Sequence, residues 1–234
     1  AKHNYSAFDL VKQLPELKKE LPWLKEVNSQ SLQQAIQNMD IAFKKFFKGA
    51  GFPKFKKKSN RGSFNVPQNV IVGNDLLIIP KFKEGIKMSL HRPTNGTIKS
   101  ATISVTPTGK YFVSILCDTK EEIPTKAPIT ESTTIGIDLG IKDFAITSEG
   151  EVFDNPKFLR NSISKLKYVQ RKFSKKKGKR TKNKLAKLHE KVANQRKDFL
   201  HKLSTRLVKE NGAIFVGNVN AAGLAKTNMA KSVL

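Results

Sequence analysis

Hydrophobic residues in the first fifty positions recur at steps of three and four, the spacing of one face of an α-helix. The stripe runs through Leu32, Ile36, Met39, Phe43, Phe46 and Phe47. Asn28 or Ser29 is a suitable N-cap for this helix, and Gly49 and Gly51 end it. We therefore predict a helical domain over residues 1–52, whose stripe is either ordinary core or a surface for a partner.

Between about residues 60 and 120 the hydrophobic period changes to two, which is typical of β-strands. Segments 76–79, 97–106 and 110–117 are rich in Ile, Val, Thr and Phe, and Gly-containing turns separate them. Short strands joined by tight turns predict a small antiparallel β-barrel, which we assign to residues 53–122. Residues 123–132, which contain Pro124 and Pro128, are predicted to be a linker.

A third region, residues 133–234, opens with the apolar strand Thr134-Ile135-Gly136-Ile137-Asp138 and two further short strands. Two helical segments follow and form a hairpin over about 157–210, joined around Gly178. A last strand is predicted over 213–219. Strand hairpins, a helical insertion and a returning strand describe the first half of an RNase H-like α/β domain. The predicted fold class is therefore α+β and multidomain.

The charge of the chain is strongly one-sided. It has 44 Lys and Arg against 19 Asp and Glu, a formal net charge of +25. Such an excess repels itself in an isolated globule, and a polyanion is its natural counter-charge. Nucleic acid fits better than a membrane, because no apolar run reaches the roughly 20 residues that a spanning helix needs. The single cysteine, Cys117, excludes a disulfide framework and fits a reducing cytoplasm.

The helical hairpin is the most basic region. Over residues 165–191 the only acidic residue is Glu190. A solvated helix usually mixes signs in i,i+4 pairs, whereas like charges at this density become favourable when phosphates neutralise them. A merely solvated face is the alternative. The candidate nucleic-acid-binding residues of the hairpin are Lys172, Lys175, Lys176, Lys177, Lys179, Arg180, Lys182 and Lys184.

A second basic cluster alternates with phenylalanines. Its rings are Phe52, Phe55 and Phe64, which either stack on bases or pack as plain core. Both interpretations remain open from the sequence. The candidate cations of this cluster are Lys54, Lys56, Lys57, Lys58 and Arg61.

Asp138 is the candidate catalytic and metal-binding residue. It closes an apolar strand, so its backbone is fixed while its carboxylate is presented at the rim of the sheet. Two-metal phosphodiester cleavage uses carboxylates placed in this way. An Asp that makes a turn hydrogen bond is the alternative. The segment Gly136-Ile137-Asp138-Leu139-Gly140 also resembles the first phosphate motif of actin-type and Hsp70-type ATPases. In those proteins small hydroxyl residues follow the motif, whereas this chain has Ile141-Lys142-Asp143.

Several strings together resemble TnpB, the RuvC-type RNA-guided nuclease of bacterial insertion sequences and a relative of type V CRISPR effectors. Their order and spacing hold across nearly the whole chain. The strings begin at Gln33-Gln34-Ala35-Ile36, Ala42-Phe43-Lys44, Phe52-Pro53-Lys54, Ser63-Phe64, Gly136-Ile137-Asp138 and Ala230-Lys231-Ser232.

The resemblance implies a helical recognition domain inserted in a wedge-like barrel, followed by a RuvC domain. It implies a guide RNA transcribed from the end of the element and a double-stranded DNA target, with no membrane partner. Asp138 matches the family's first catalytic carboxylate, which holds Mg²⁺. A protein of this kind is expected in the bacterial cytoplasm, associated with the nucleoid.

The chain departs from the family pattern in three places. It starts without the family's first barrel strand and helix, and it ends before the zinc ribbon and last catalytic Asp, so Zn²⁺ is expected only in that further part. Gly217 stands where the second catalytic Glu belongs. Glu210 does not replace it, because seven residues of strand span roughly 20 Å. The expected function of the complete protein is that of an RNA-guided DNA endonuclease, and we expect this chain not to cleave DNA alone. The alternative function is a nuclease-dead, repressor-like RNA-guided DNA binder.

Overall fold

The computed structural model of the chain describes residues 6–54, 62–125 and 128–228. The chain forms two compact units, Ala1–Glu122 and Ile123–Leu234. Each unit has its own hydrophobic cluster and is described separately below. The separation of a helical domain, 1–52, from a strand domain, 53–122, lies inside the first unit and stays a prediction.

The first unit begins with two helices, α1 (Ala7–Glu20) and α2 (Ser29–Phe47). Ser6 caps α1 in a capping box with Asp9, and the Asn28 side chain accepts a hydrogen bond from the amide of Gln30 at the start of α2. The hydrophobic stripe of α2 is not core in the described structure. No residue of α2 is buried, and Phe47 is 79% exposed.

Within residues 62–118 six strands form two antiparallel sheets, ordered β1-β5-β6 and β2-β3-β4. Their shared core is built on Val66, Leu77 and Ile79, with Ile103 and Val113 packed against it. The strands are β1 (Gly62–Val66), β2 (Ile71–Gly73), β3 (Leu76–Ile79), β4 (Phe82–Lys87), β5 (Thr97–Val105) and β6 (Tyr111–Asp118).

The predicted barrel does not close among the described residues. Closure needs hydrogen-bonded pairing from the last strand of one sheet to the first strand of the other. In residues 62–118 the two sheets pack through side chains, and no ladder joins β1 or β6 to β2 or β4. The sequence predicted three of these strands, which correspond to β3, β5 and β6, and the antiparallel pairing, but not β1, β2, β4 or the open edges.

The second unit contains a four-stranded mixed sheet, ordered β10-β7-β8-β9. Strand β10 runs parallel to β7, whereas the β7–β8 and β8–β9 pairs are antiparallel. The elements are β7 (Thr134–Leu139), β8 (Asp143–Thr147), β9 (Val152–Asp154), α3 (Phe158–Lys175), α4 (Lys179–Glu210), β10 (Ala213–Val216) and α5 (Ala221–Leu224).

Buried and more exposed residues alternate along β7 and show which face of the sheet is covered. Ile135 and Ile137 are buried and pack with Ala145 of β8 and Leu207 of α4. The intervening residues of β7 point to the opposite face, since side chains alternate along a strand. Helix α4 therefore covers one face of the sheet and returns the chain to β10. In the described residues no helix is both long and apolar enough to cross a membrane.

Candidate functional site

The rim of the second unit's sheet presents Asp138. The buried neighbours Ile135 and Ile137 fix the strand, and Asp138 is exposed near its carboxyl end. Its register partner on β8 is Ile146, which is 42% exposed. A carboxylate held by a rigid strand and open to solvent is suited to binding a cation or accepting a hydrogen bond.

Gly217 lies beside Asp138. Val216, the last residue of β10, pairs with Ile137, and the amide of Gly217 donates a hydrogen bond of 3.0 Å to the carbonyl oxygen of Ile137. A Cβ atom at position 217 would lie 3.5 Å from Oδ1 of Asp138. The expected proximity of these two residues at one rim is confirmed, with Gly217 directly after β10 and Asp138 on the neighbouring strand β7.

Two more carboxylates lie at this end of the sheet. Asp143 begins β8 and Asp154 ends β9, and the two are register partners. The sequence places Asp143 at the start of the second strand of this domain, and β8 does begin at Asp143. In residues 6–54, 62–125 and 128–228 no three His, Cys, Asp or Glu side chains lie close enough to hold a metal ion. The described residues therefore do not fit a pair of Mg²⁺ ions, and they offer no zinc site.

Glu210 is held at the other end of the sheet. The guanidinium of Arg206 donates to Glu210 from Nε at 3.1 Å and to Glu151, in the β8–β9 turn, from Nη1 at 2.8 Å. Hydrogen bonds to Glu210 and then to Glu151 raise the pKa of Arg206 above its ordinary value. Glu210 is thus in an ion-pair network away from Asp138, in agreement with the distance argument from the sequence.

The basic hairpin, formed by α3 and α4, packs through Leu166 and Val169 of α3 and Val192 of α4, all buried. The predicted boundaries are close to the observed ones, and Gly178 lies in the connection. The candidate cations all lie on the outside of this pair and are exposed: Lys172, Lys175, Lys176, Lys177, Lys179, Arg180, Lys182 and Lys184. A surface of one sign, on a rigid helical pair, can follow a phosphate backbone.

An aromatic side chain lies within this basic surface. Nζ of Lys172 is 4.6 Å from the centroid of the Tyr168 ring, and Tyr168 is 56% exposed. A hydrogen bond and the charge of Lys172, with a contribution from Lys184, lower the pKa of the Tyr168 phenol. The sequence analysis did not single out Tyr168, whose signal is one aromatic residue in a lysine-rich helix.

The second basic cluster is described only in part. Lys54 is exposed, while Lys56, Lys57, Lys58 and Arg61 lie outside the described residues, as do Phe55 and Ala230-Lys231-Ser232. The Phe52 ring lies edge-on to Phe43 at 5.9 Å and to Phe46 at 5.3 Å. Phe52 nevertheless remains 67% exposed, so packing against α2 leaves much of its ring accessible.

The sequence analysis also missed a cleft of about 780 Å³ beside the Asp138 rim. Gly217 lies on its wall, together with the β7–β8 turn, the start of α3 and the middle of α4. The Asn155 side chain connects two of these segments, since its Nδ2 donates to the carbonyl of Ile141 at 3.0 Å and its Oδ1 accepts from the amide of Lys157. No local motif signals this cleft, because its walls come from separate parts of the chain.

The chain is similar in sequence to one protein family and to two curated proteins. Residues 114–228 match the OrfB_IS605 family, described as "Probable transposase". A Streptomyces pristinaespiralis protein named "Putative RNA-guided DNA endonuclease" is 36% identical over 225 residues, which cover 91% of this chain and 55% of that protein. An Escherichia coli (strain K12) protein named "Putative RNA-guided DNA endonuclease InsQ" is 32% identical over 217 residues, 89% of this chain and 52% of that protein.

The chain spans about half the length of each of these two relatives. Both alignments nevertheless extend over nearly all of the chain, and the matched region 114–228 includes the Asp138 rim and the basic hairpin. The resemblance to TnpB that the motifs indicated is confirmed by the match of residues 114–228 to the OrfB_IS605 transposase family and by the two relatives.

Proposed function

We propose that this chain is part of an RNA-guided DNA endonuclease of a bacterial insertion sequence, and that the chain as it stands binds nucleic acid without cleaving it. The observation that carries the proposal is the outer surface of the basic hairpin, where Lys172 to Lys184 are exposed and of one sign. Such a surface gains affinity by releasing the counterions of a polyanion. The names of the two relatives support RNA and DNA as the polyanions.

Sequence choice in such a protein comes from base pairing between the guide and the target, and the protein contacts the backbone and shape of the duplex. That division of labour suits a hairpin surface made mostly of lysines, because ammonium groups bind phosphates as point charges without reading bases. The partners we propose are therefore a guide RNA from the transposon end and a double-stranded DNA target.

Asp138 is proposed as the first carboxylate of a RuvC-type centre. Support comes from the strand order β10-β7-β8-β9 and from the parallel return of the chain to β10, which puts position 217 beside Asp138. In the complete protein Mg²⁺ would supply the charge that stabilises the attacking and leaving oxygens of the phosphodiester. Asp143 and Asp154 lie at the same end of the sheet but form no cluster of three possible metal ligands with Asp138 among the described residues, so we infer that this chain does not cleave DNA.

The alternative is a nuclease-dead RNA-guided DNA binder that acts as a repressor. Gly217 favours it, because a residue without a side chain stands beside Asp138. The two possibilities differ in the complete protein. If a further segment supplies a carboxylate beside Asp138, the protein is an endonuclease; if none does, it binds DNA without cleaving it. Cleavage of matched duplex by the complete protein distinguishes them.

RNA binding tests the proposal directly. We expect purified protein to carry RNA after a high-salt wash, seen from absorbance at 260 and 280 nm. Replacing Lys175, Lys176 and Lys177 by Gln should reduce the slope of log K against log salt for RNA, by about 0.7 to 0.9 for each phosphate that the variant no longer neutralises.

The matched control removes the same charge elsewhere. Lys48, Lys83 and Lys87 are also exposed lysines, in the first unit. Gln at these three positions should change the salt slope less than the hairpin variant does. RNA binding that hardly depends on salt, or equal reductions in both variants, would contradict the proposal.

A further inference from the structure

Tyr168 carries an exposed ring on the outer surface of the basic hairpin. Across residues 158–210 the other phenylalanine and tyrosine side chains, Phe158, Phe173 and Phe199, are half-buried, whereas Tyr168 is 56% exposed. Its neighbour Val169 is buried, and successive residues of a helix point about 100° apart, so Tyr168 is directed away from the contact between α3 and α4. The ring therefore lies on a surface that phosphates alone would not require to be aromatic.

A row of lysines continues along α3 on both sides of this ring. Lys165, Tyr168, Lys172 and Lys175 follow one another at steps of three, four and three, so they share one face of the helix. All four side chains are exposed. At a rise of 1.5 Å per residue the row is about 15 Å long. That length is enough for several phosphates of one strand, with the ring among them.

Cations from both helices of the hairpin surround the ring. Nζ of Lys172 lies over one face of the ring, 4.6 Å from its centroid. The hydrogen bond and charge of Lys172 lower the pKa of the Tyr168 phenol, and the charge of Lys184, on α4, adds to this effect. The sequence contains no Asp or Glu from residue 158 to residue 189, so the charges next to the ring along the chain are of one sign.

This arrangement suits a nucleotide better than a phosphate alone. An ammonium group binds phosphate as a point charge and attracts paired and unpaired strands alike. An aromatic ring adds a flat surface on which a base can stack, and a base offers its face only where it is free of its own stack, as in a loop or a bulge. More than half of Tyr168 is exposed beside the Lys172 ammonium, so ring surface remains available to such a base.

We propose that Tyr168 stacks on an unpaired base of the RNA that the hairpin binds, with Lys165 and Lys172 on the phosphates next to that base. The proposal rests on the proposed function and deepens it, since it lets a surface made mostly of lysines distinguish a loop or bulge from a continuous duplex. The lysines supply affinity for any polyanion, and the ring selects the place along the strand where a base is free.

The test uses the whole chain and two fluorescein-labelled RNA duplexes, with binding measured by anisotropy. One duplex carries a bulged adenosine, and the other has an abasic site at the same position. Tyr168→Leu should weaken binding of the adenosine duplex roughly five- to a hundredfold. The same variant should leave binding of the abasic duplex unchanged. Tyr168→Phe keeps the ring and should bind both duplexes as the unaltered chain does.

Two controls separate stacking from charge and from a general effect of the substitution. Tyr111→Leu makes the same change at a tyrosine of the first unit that is 77% exposed. This variant should keep the full difference in affinity between the two duplexes. Tyr168→Leu removes no charge, so the slope of log K against log salt should stay that of the unaltered chain.

Equal weakening of both duplexes by Tyr168→Leu would overturn the proposal, because a ring that only holds Lys172 in place gives that result. No weakening of either duplex, or the same loss in Tyr168→Phe as in Tyr168→Leu, would also overturn it. These outcomes leave salt-dependent RNA binding, and with it the proposed function, intact. Binding of both duplexes that hardly depends on salt would instead contradict the proposed function itself.

Discussion

Gly217 and Asp138 are neighbours across two parallel strands, and a Cβ atom at position 217 would lie 3.5 Å from Oδ1 of Asp138. The same Cβ would lie 3.8 Å from the carbonyl oxygen of Ile137, so a side chain fits without overlap. The backbone at Gly217 is also free of the left-handed conformation that only glycine adopts easily. Position 217 therefore has room for a Cβ atom, and its backbone conformation allows a residue other than glycine.

Gly217→Glu is expected to create a divalent-cation site. A second carboxylate adds attraction of about 1 kcal/mol per pair of unit charges at 4 Å in water, hence about 2 kcal/mol for a divalent ion. That corresponds to a roughly thirtyfold gain in affinity. Mn²⁺ binding, followed by water-proton relaxation, measures it.

The control is Gly217→Gln, which has the same shape without the charge. It should bind Mn²⁺ no better than the unaltered chain. Asp138→Ala in the Glu background should remove the gain. Equal Mn²⁺ affinity in the Glu and Gln variants would show that position 217 and Asp138 do not act on one ion.

Tyr168 should ionise at a lower pH than an ordinary tyrosine, because the Lys172 ammonium stabilises the phenolate and so lowers the pKa of the phenol. Lys172→Gln is expected to raise the pKa of Tyr168 back toward its ordinary value. Absorbance at 295 nm during a pH titration, with Tyr168→Phe subtracted to isolate this one phenol, gives the measurement. Arg171→Gln changes the neighbouring charge and should shift the titration less. Identical curves for both variants would contradict the contact between Lys172 and the ring.

Gly96→Ala should destabilise the first unit strongly. Gly96 has φ +85°, and a Cβ there would overlap the backbone carbonyl oxygen of Asp118. Gly109 has φ +84° with nothing within 4 Å, so Gly109→Ala tests the conformational cost alone, about 1 to 2 kcal/mol. Urea unfolding followed by circular dichroism should therefore rank Gly96→Ala below Gly109→Ala. Equal free energies of unfolding would mean that the overlap is relieved at no cost.

Strand alternation predicted that Asp138 lies on the open face of the sheet, and the resemblance to TnpB supplied the expectation that Gly217 lies beside it. Burial of Ile135 and Ile137 puts Asp138 on the open face, and pairing of β10 with β7 then fixes Gly217. Periodicity also located the basic hairpin. It also located α2 but left open whether the stripe is core, because a stripe shows which side of a helix is apolar and not whether another element covers it.

Two features that join distant segments, the cleft and the edges of the sheets in the first unit, were not predicted from the sequence. Lys142 and Arg196 meet at one cleft only because α4 crosses the sheet near the β7–β8 turn. Closure of the strands of the first unit is a similar case, since it depends on which edges pair and not on the strands themselves. Neither property follows from spacing along the chain.

The chain as it stands is expected to bind guide RNA and matched duplex without cutting the DNA. Two-metal hydrolysis holds ions about 3.5 to 4 Å apart, and their mutual repulsion has to be offset by several carboxylates. In the described residues Asp138 has Gly217 as its neighbour, while Glu210 is engaged by Arg206. Few carboxylates leave Mg²⁺ weakly held and mostly hydrated.

Incubation with guide RNA, Mg²⁺ and matched duplex, scored for both cleavage and retention on a gel, tests this expectation. Retention should survive removal of Mg²⁺, because contacts of the basic hairpin with phosphates do not need the ion. Asp138→Ala should therefore leave retention unchanged. Cleavage by the unaltered chain that Asp138→Ala abolishes would show that a second carboxylate within these 234 residues reaches the rim. Cleavage that persists in the variant would remove Asp138 from the centre altogether.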